Sequence, residues 1–123
     1  MIRGHRHISL DFSGCQEIEK LKSRNKNTVR DILALARNAG CTIRKYHFDR
    51  FAPEEGYTLV VSISESHFAV ITWPERSFIN VDIFVCNYTK DNSLVALGLE
   101  RLLREFFRPK KIMRWEKLRG PHD

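Results

Sequence analysis

The chain has few cysteines, prolines and glycines, and it has no long apolar segment. It contains three cysteines, four prolines and six glycines among 123 residues. Cys15, Cys41 and Cys86 are odd in number and widely spaced, so neither a zinc site nor a disulfide framework is indicated, and we expect no metal. No run of about 18 apolar residues occurs, so we expect no membrane span. The first residues lack the apolar core of a signal peptide, which favours a cytoplasmic protein.

Composition and charge favour one soluble domain over residues 1–123. Hydrophobic residues make up 42% and charged residues 29%, with a net charge of +6. Such a balance is ordinary for a globular domain. Basic residues concentrate near the C-terminus and around residues 20–26, and such surfaces attract polyanions. No recognised nucleic-acid-binding module accompanies them, so we interpret them as a solvated face and do not expect a nucleic-acid partner.

Two segments have the periodicity of helices. Thr28 is the predicted N-cap of the first, and Gly40 is its predicted stop. The second follows Asp91-Asn92-Ser93 and runs to about Phe107, just before a proline. The alternation of Ile8, Leu10 and Phe12 predicts a strand. The remaining extended segments are 42–51, 57–64, 68–73, 78–85 and 111–118.

The predicted order of elements is β-α-β-β-β-α-β. Closely spaced strands favour antiparallel hairpins, and two amphipathic helices can cover one face of the resulting sheet. We therefore predict an α/β fold of the α+β type, a two-layer sandwich of a mainly antiparallel sheet covered by two helices.

Three motifs follow one another in the central part of the chain: Glu65-Ser66-His67, Thr72-Trp73-Pro74-Glu75 and Asp82-Ile83-Phe84-Val85-Cys86. In this order they resemble the prokaryotic S-adenosylmethionine decarboxylase proenzyme family, whose members make a pyruvoyl cofactor from one of their own serines. The resemblance extends from His7 to about Gly120. It implies the same two-layer architecture and a homodimer.

The resemblance implies self-cleavage between Glu65 and Ser66. The Ser66 hydroxyl attacks the carbonyl carbon of Glu65, the peptide becomes an ester, and β-elimination separates chain 1–65 from chain 66–123. The dehydroalanine left at Ser66 hydrolyses to the pyruvoyl group, whose ketone condenses with the substrate amine. The resulting imine takes up the electrons left by carbon dioxide. Cys86 matches the cysteine that protonates the substrate carbon in this family.

The resemblance also implies the substrate, S-adenosylmethionine, and a role in polyamine (spermidine) biosynthesis. Glu75 matches the glutamate that holds the ribose hydroxyls. Phe12 and Phe51 match aromatic positions near the adenine, although phenylalanine is more often a core residue.

The chain departs from the family pattern at two positions that assist processing. Ile71 occupies the position of a histidine that is the leading candidate for removing the serine α-proton, and isoleucine cannot transfer a proton. Thr58 replaces a serine and keeps its hydroxyl. We hypothesise that His67 supplies the missing base.

Two further interpretations remain open. The same electron sink would serve a decarboxylase of another amino acid, such as arginine or ornithine. Because Ile71 cannot act as a base, the chain could instead be an unprocessed, non-catalytic paralogue that binds a ligand or regulates a partner.

Overall fold

The computed structural model describes residues 4–51, 55–87 and 91–121. Two α-helices lie in this part of the chain, α1 (Asn27–Asn38) and α2 (Ser93–Phe107). The strands are β1 (His5–Ser13), β2 (Ile43–Phe51), β3 (Gly56–Ile63), β4 (Ser66–Trp73), β5 (Phe78–Cys86) and β6 (Lys111–Arg119). Short 3-10 helices occupy Ile18–Leu21 and Pro74–Arg76.

The six strands form one sheet in the order β2-β3-β4-β5-β1-β6. Every neighbouring pair is antiparallel. The sheet and its two helices confirm the predicted two-layer sandwich. Along the chain, four strands separate α1 from α2, whereas the predicted order has three. Each of the four extended segments in that region forms a strand of its own.

The core lies between the helices and one face of the sheet, which we call the inner face. Side chains alternate between the two faces along each strand, and the inner-facing residues are the apolar ones. Fully buried members from the sheet and the helices include Ile8, Leu59, Phe68, Val70, Ile83, Ile32, Ala36 and Leu99. Burying one such leucine or isoleucine stabilises the fold by about 1.5–3 kcal/mol. The opposite, outer face carries no helix among the described residues.

The first helix starts one residue before the predicted cap. Thr28 is the second residue of α1, and its buried hydroxyl has no hydrogen-bond partner among the described residues. The N-cap residue is Lys26, which makes no side-chain cap bond, and the side-chain oxygen of the preceding Asn25 accepts the N–H of Asn27 at 3.3 Å. The predicted stop is confirmed, because α1 ends at Asn38 and Gly40 has φ +103°.

The start of α2 is tied to the end of β5. Asp91 Oδ1 accepts the N–H of Ser93 at 2.9 Å, which confirms that the Asp91-Asn92-Ser93 segment initiates this helix. The side-chain amide of Asn92 donates to the Cys86 carbonyl at 2.8 Å. The Asn92 N–H donates to Asn87 Oδ1, also at 2.8 Å. These bonds fix the position of Cys86.

Part of the C-terminal positive charge is used inside the fold. Glu100 of α2 is buried, and Arg114 of β6 donates to both of its carboxylate oxygens, at 2.8 and 3.1 Å. Arg104 donates to the same carboxylate at 3.2 Å. The hydrogen bond to Glu100 raises the pKa of Arg114 above its usual value. Within the described ranges, neither helix has the length and apolar character that crossing a membrane requires.

Candidate active site

The turn that precedes Ser66 is short and contains an unusual backbone conformation. Ile63 pairs directly with Ser66, so only Ser64 and Glu65 connect β3 to β4. Glu65 has φ +61°. This left-handed conformation is rare for a residue with a side chain and costs about 1–3 kcal/mol. The Ser64 N–H donates to the Thr42 carbonyl at 3.0 Å and anchors the turn.

Ser66 and Cys86 are brought together by the pairing of β4 with β5. The Cys86 backbone N–H donates to Ser66 Oγ at 2.9 Å. Ser66 is half-buried, and Cys86 is 9% exposed. The bond leaves the hydroxyl proton of Ser66 free to point elsewhere, since Oγ acts only as the acceptor in it. The two residues predicted to carry the chemistry therefore form one local group.

A cavity of about 190 Å³ opens beside this group. It lies between the β3–β4 turn and the ends of the two helices. Its lining includes Gly40, Thr42, Ser64, Glu65, Ser66 and Asn92. Because the Glu65–Ser66 peptide borders this cavity, a water-sized or slightly larger molecule can approach the bond.

His5 joins the group, although no sequence motif pointed to it. The register of β1 against β5 places His5 opposite Cys86. His5 Nε2 lies 3.9 Å from Cys86 Sγ, and His5 Nδ1 accepts the N–H of Asn87 at 3.3 Å. The alternation from His5 through His7 into β1 indicates which face of the sheet His5 lies on. It does not indicate that β5 is the neighbouring strand.

Phe84 is the centre of an aromatic and cationic cluster on the outer face. The His67 ring stacks on it at 5.4 Å, with 25° between the planes. The His5 and His7 rings form T-shaped contacts with it, with ring centroids 5.5 and 6.0 Å apart. The Arg119 guanidinium lies 5.1 Å from the ring centroid. His67 therefore has a defined place next to Ser66 in sequence but on the other face of β4, and its role as a base stays a prediction.

A second group of predicted residues lies further along the same strands. Thr58 pairs directly with Ile71, so their side chains share the outer face. The Phe51 ring contacts Trp73 at 5.4 Å. Glu75 is exposed in the 3-10 helix that follows Trp73. A threonine hydroxyl, two aromatic rings and a carboxylate thus lie along one end of the sheet.

A polar ladder continues this second group across the sheet. The indole N–H of Trp73 donates to Asn80 Oδ1 at 2.9 Å, and the Asn80 amide donates to Asp11 Oδ1 at 3.0 Å. Asn80 is the residue that pairs with Ile71 on β5. Sequence reasoning missed Asp11 and Asn80, because their proximity depends on the pairing of β1, β5 and β4.

Comparison with known proteins identifies the family. The model of a family described as S-adenosylmethionine decarboxylase matches residues 6–120. The chain belongs to this family. A relative from Thermomicrobium roseum, named S-adenosylmethionine decarboxylase proenzyme, is 33% identical over 94% of this chain and 92% of its own length. A relative of the same name from Acetivibrio thermocellus is 36% identical over 94% of this chain and 87% of its own length.

A solved structure agrees with this membership of the S-adenosylmethionine decarboxylase family. The crystal structure of adenosylmethionine decarboxylase from Aquifex aeolicus VF5 superimposes with a TM-score of 0.85 at 25% sequence identity. The match covers 100% of this chain and 96% of that chain. The two-layer fold is thus shared along the whole length, including the strands that hold Ser66 and Cys86.

Within a single chain of this family member, the two groups of residues do not meet. Ile71 is five residues from Ser66 along an extended strand, which corresponds to about 17 Å. Thr58 is paired with Ile71 and is therefore at a similar distance. The chain brings together Ser66, Cys86, Glu65 and His67 at one end of β4, and Thr58, Phe51 and Glu75 at the other.

Phe12 does not belong to either group. Its ring is completely buried with the core residues on the inner face of β1. A ring in this position has no surface with which to stack on adenine. The alternation that predicted the strand already placed Phe12 on the side of Ile8 and Leu10, and burial in the core is what the structure shows. We therefore leave Phe12 out of the proposed binding residues.

Proposed function

We propose that the chain is a proenzyme that cleaves itself between Glu65 and Ser66 and then decarboxylates S-adenosylmethionine. The observation that carries the proposal is the arrangement at the β3–β4 turn. There the Ser66 hydroxyl follows a left-handed Glu65 and is held by the Cys86 N–H at 2.9 Å. Family membership supplies the reaction class.

Self-cleavage starts from groups that this turn already holds. The Cys86 N–H fixes Ser66 Oγ, so its attack on the Glu65 carbonyl carbon needs little further ordering of the side chain. The C–N bond between the two residues breaks and an ester forms. The freed Ser66 nitrogen takes up the proton of the hydroxyl and becomes an amine. Relief of the left-handed Glu65 conformation favours this step. Removal of the Ser66 α-proton then expels the Glu65 carboxylate and leaves chains 1–65 and 66–123. The dehydroalanine left at position 66 takes up water and loses its nitrogen as ammonia, which gives the ketone of the pyruvoyl group.

The residues around Ser66 fit the cofactor that this cleavage would make. A pyruvoyl group at the new N-terminus of β4 would supply an electron sink for the decarboxylation. Its position beside the cavity leaves a path for a substrate amine. Cys86, fixed through the bonds of Asn92, holds the proton that the substrate carbon takes up after carbon dioxide departs.

The second group supports an adenosine-bearing substrate. The Glu75 carboxylate can accept hydrogen bonds from both hydroxyls of a ribose diol. The Phe51–Trp73 pair offers aromatic surface for a purine. A solvent-facing pocket borders Trp73 on the outer face, with Phe78 and Asn80 in its lining. Arginine and ornithine have neither a ribose diol nor a purine ring. Glu75 and the Phe51–Trp73 pair therefore favour S-adenosylmethionine as the substrate. We assign the decarboxylated product a role in spermidine synthesis in the cytoplasm.

A homodimer would unite the two groups. Because about 17 Å of β4 separates them in one chain, the Thr58 end of one protomer has to approach the Ser66 end of its partner. The outer face is suited to such contact, since it carries Trp73, Phe84 and the half-exposed Trp115 and has no helix over it among the described residues. An interface on this face would also remove apolar surface from water.

Release of carbon dioxide from carboxyl-labelled S-adenosylmethionine tests the proposal. Labelled arginine and ornithine serve as competing substrates, and Ser66→Ala serves as the matched control because it removes only the attacking oxygen. We expect release from S-adenosylmethionine with the wild type and none with Ser66→Ala. Release from arginine or ornithine alone would assign the chain to the alternative decarboxylase.

The unprocessed paralogue is the second candidate, and Ile71 is the observation that favours it. Ile71 pairs with Thr58, so an apolar side chain stands beside the retained hydroxyl where the family has a base. An intact chain that binds S-adenosylmethionine without releasing carbon dioxide would establish this alternative.

A further inference from the structure

His5 and Cys86 form a contact that no sequence motif indicated. His5 lies directly opposite Cys86 on the neighbouring strand, and its Nε2 is 3.9 Å from Cys86 Sγ. This separation is within hydrogen-bond range for sulfur. The contact lies on the outer face at the same end of the sheet as Ser66, and it involves the thiol that we propose as the proton donor of the active site.

The second nitrogen of His5 determines which atom carries the proton. His5 Nδ1 accepts the backbone N–H of Asn87 at 3.3 Å. A neutral imidazole has one N–H, so acceptance at Nδ1 assigns the proton to Nε2. Nε2–H therefore points toward Cys86 Sγ and donates to it. Such a bond is stronger to a thiolate than to a neutral thiol, because one partner is then charged.

We propose that His5 is a positioning residue for Cys86, and that it stabilises the thiolate formed when Cys86 gives its proton to the substrate carbon. The inference rests on the proposed decarboxylase function. The S–H bond breaks, its proton goes to carbon, and the electron pair stays on sulfur, where the Nε2–H of His5 meets it. His5 keeps its own proton throughout. Solvent returns a proton to Cys86 before the next turnover.

The surroundings favour the same outcome. Arg119 of β6 pairs with His5 in the sheet, and its guanidinium lies over Phe84, so a positive charge stands next to the contact. His67 of β4 stacks on the same Phe84 ring. The Asp82 carboxylate, two residues along β5 from Phe84, contacts His7 Nε2 at 3.1 Å.

Two substitutions at His5 separate hydrogen bonding from packing. His5→Phe keeps an aromatic ring against Phe84 and removes both nitrogens. His5→Gln loses the ring but keeps an N–H donor at about the reach of Nε2. His7→Phe is the matched control, because His7 lies on the same face of the same strand and contacts the same Phe84 ring, while its Nε2 meets Asp82.

Titration of the thiols by NMR measures the contact without any need for activity. With cysteine labelled at ¹³Cβ, each thiol of the full chain is followed separately, and Cys15 and Cys41 act as internal references. We expect the titration midpoint of Cys86 to be higher in His5→Phe than in the wild type, because the variant removes the N–H donor beside sulfur. His5→Gln should recover at least half of this change, and His7→Phe should leave the midpoint within a few tenths of a unit.

Decarboxylation kinetics measure the consequence for the reaction. We expect kcat to fall about ten- to a hundredfold in His5→Phe with little change in KM, because the bond to sulfur is strongest after proton transfer. An unchanged Cys86 midpoint in His5→Phe would overturn the proposal. So would an equal change in His7→Phe, or an unchanged kcat despite a shifted midpoint. Absence of activity in the wild type would refute the proposed function, and the midpoint would still show whether His5 acts on Cys86.

Discussion

Replacing Ile71 with histidine tests the weakest point of the proposed self-cleavage. Ile71 is half-buried on β4, between Thr58 and Asn80 on the neighbouring strands. A cavity of about 210 Å³ lies beside it, with Asp11 and Asn80 among its lining residues. A histidine ring has similar bulk, and its second nitrogen can bond to these polar groups. Because Ile71 is only half-buried, we expect a stability cost in the ordinary range for a single substitution, about 0.5–3 kcal/mol.

The expected effect on cleavage is large. A positioned general base contributes about 10²–10⁴ to a proton-transfer step, so Ile71→His should accelerate appearance of the fragments by up to that factor. Cell-free synthesis followed by timed mass analysis measures the rate from the moment the chain forms. Ile71→Gln is the matched control, because it adds polarity of similar size but no group that titrates near neutral pH.

Co-expression distinguishes action within one chain from action across a dimer. A chain with both Ser66→Ala and Ile71→His cannot cleave itself, but in a mixed dimer it presents its histidine to the Ser66 of a wild-type partner. We expect faster cleavage of the wild-type chain, since about 17 Å separates the two positions within one protomer. Equal cleavage rates for Ile71→His, Ile71→Gln and wild type would refute the reasoning that Ile71 limits processing.

Three further predictions concern the fold. Arg114→Met should lower the free energy of unfolding by about 3 kcal/mol in urea titration, because it removes the two hydrogen bonds to a buried carboxylate; Arg101→Met, which breaks only an exposed pair, should cost less than about 1 kcal/mol. Gly56→Ala should lower the melting temperature, since a Cβ there would lie 2.5 Å from the Thr72 carbonyl oxygen; an unchanged melting temperature would contradict the packing at this site. Burial raises the pKa of the Cys41 thiol from 9.0 to about 11. The neutral thiol therefore contributes its full stabilisation below pH 9, and this contribution should be lost as pH rises from 9 to 11. In urea titrations across this window, the free energy of unfolding should fall less for Cys41→Ala than for wild type.

Much of the architecture was predictable, because most elements have a clear hydrophobic period. The alternation in β1 and the helical spacing before Gly40 each gave the correct element. The predicted cap at Thr28 is wrong, because threonine favours caps but the helix begins at Asn27, after Lys26, whose side chain gives no cap signal. The order with three central strands was one strand short, although each segment alone had the pattern of a strand.

The candidate site was predictable only as far as local motifs reach. Glu65, Ser66 and Cys86 were selected from the ordered motifs, and the structure adds the 2.9 Å contact that joins the last two. The role given to Phe12 ignored its face of the strand, and the ring is in the core. His5 was missed because its neighbour depends on the register of two strands about 80 residues apart, which periodicity does not encode.

The mass of the purified protein under denaturing conditions tests the central claim most directly. Cleavage between Glu65 and Ser66 predicts two fragments, residues 1–65 and 66–123, the second blocked at its N-terminus by the former serine. A single chain of 14.5 kDa, unchanged after prolonged incubation, would contradict self-processing and give the lead to a non-catalytic role.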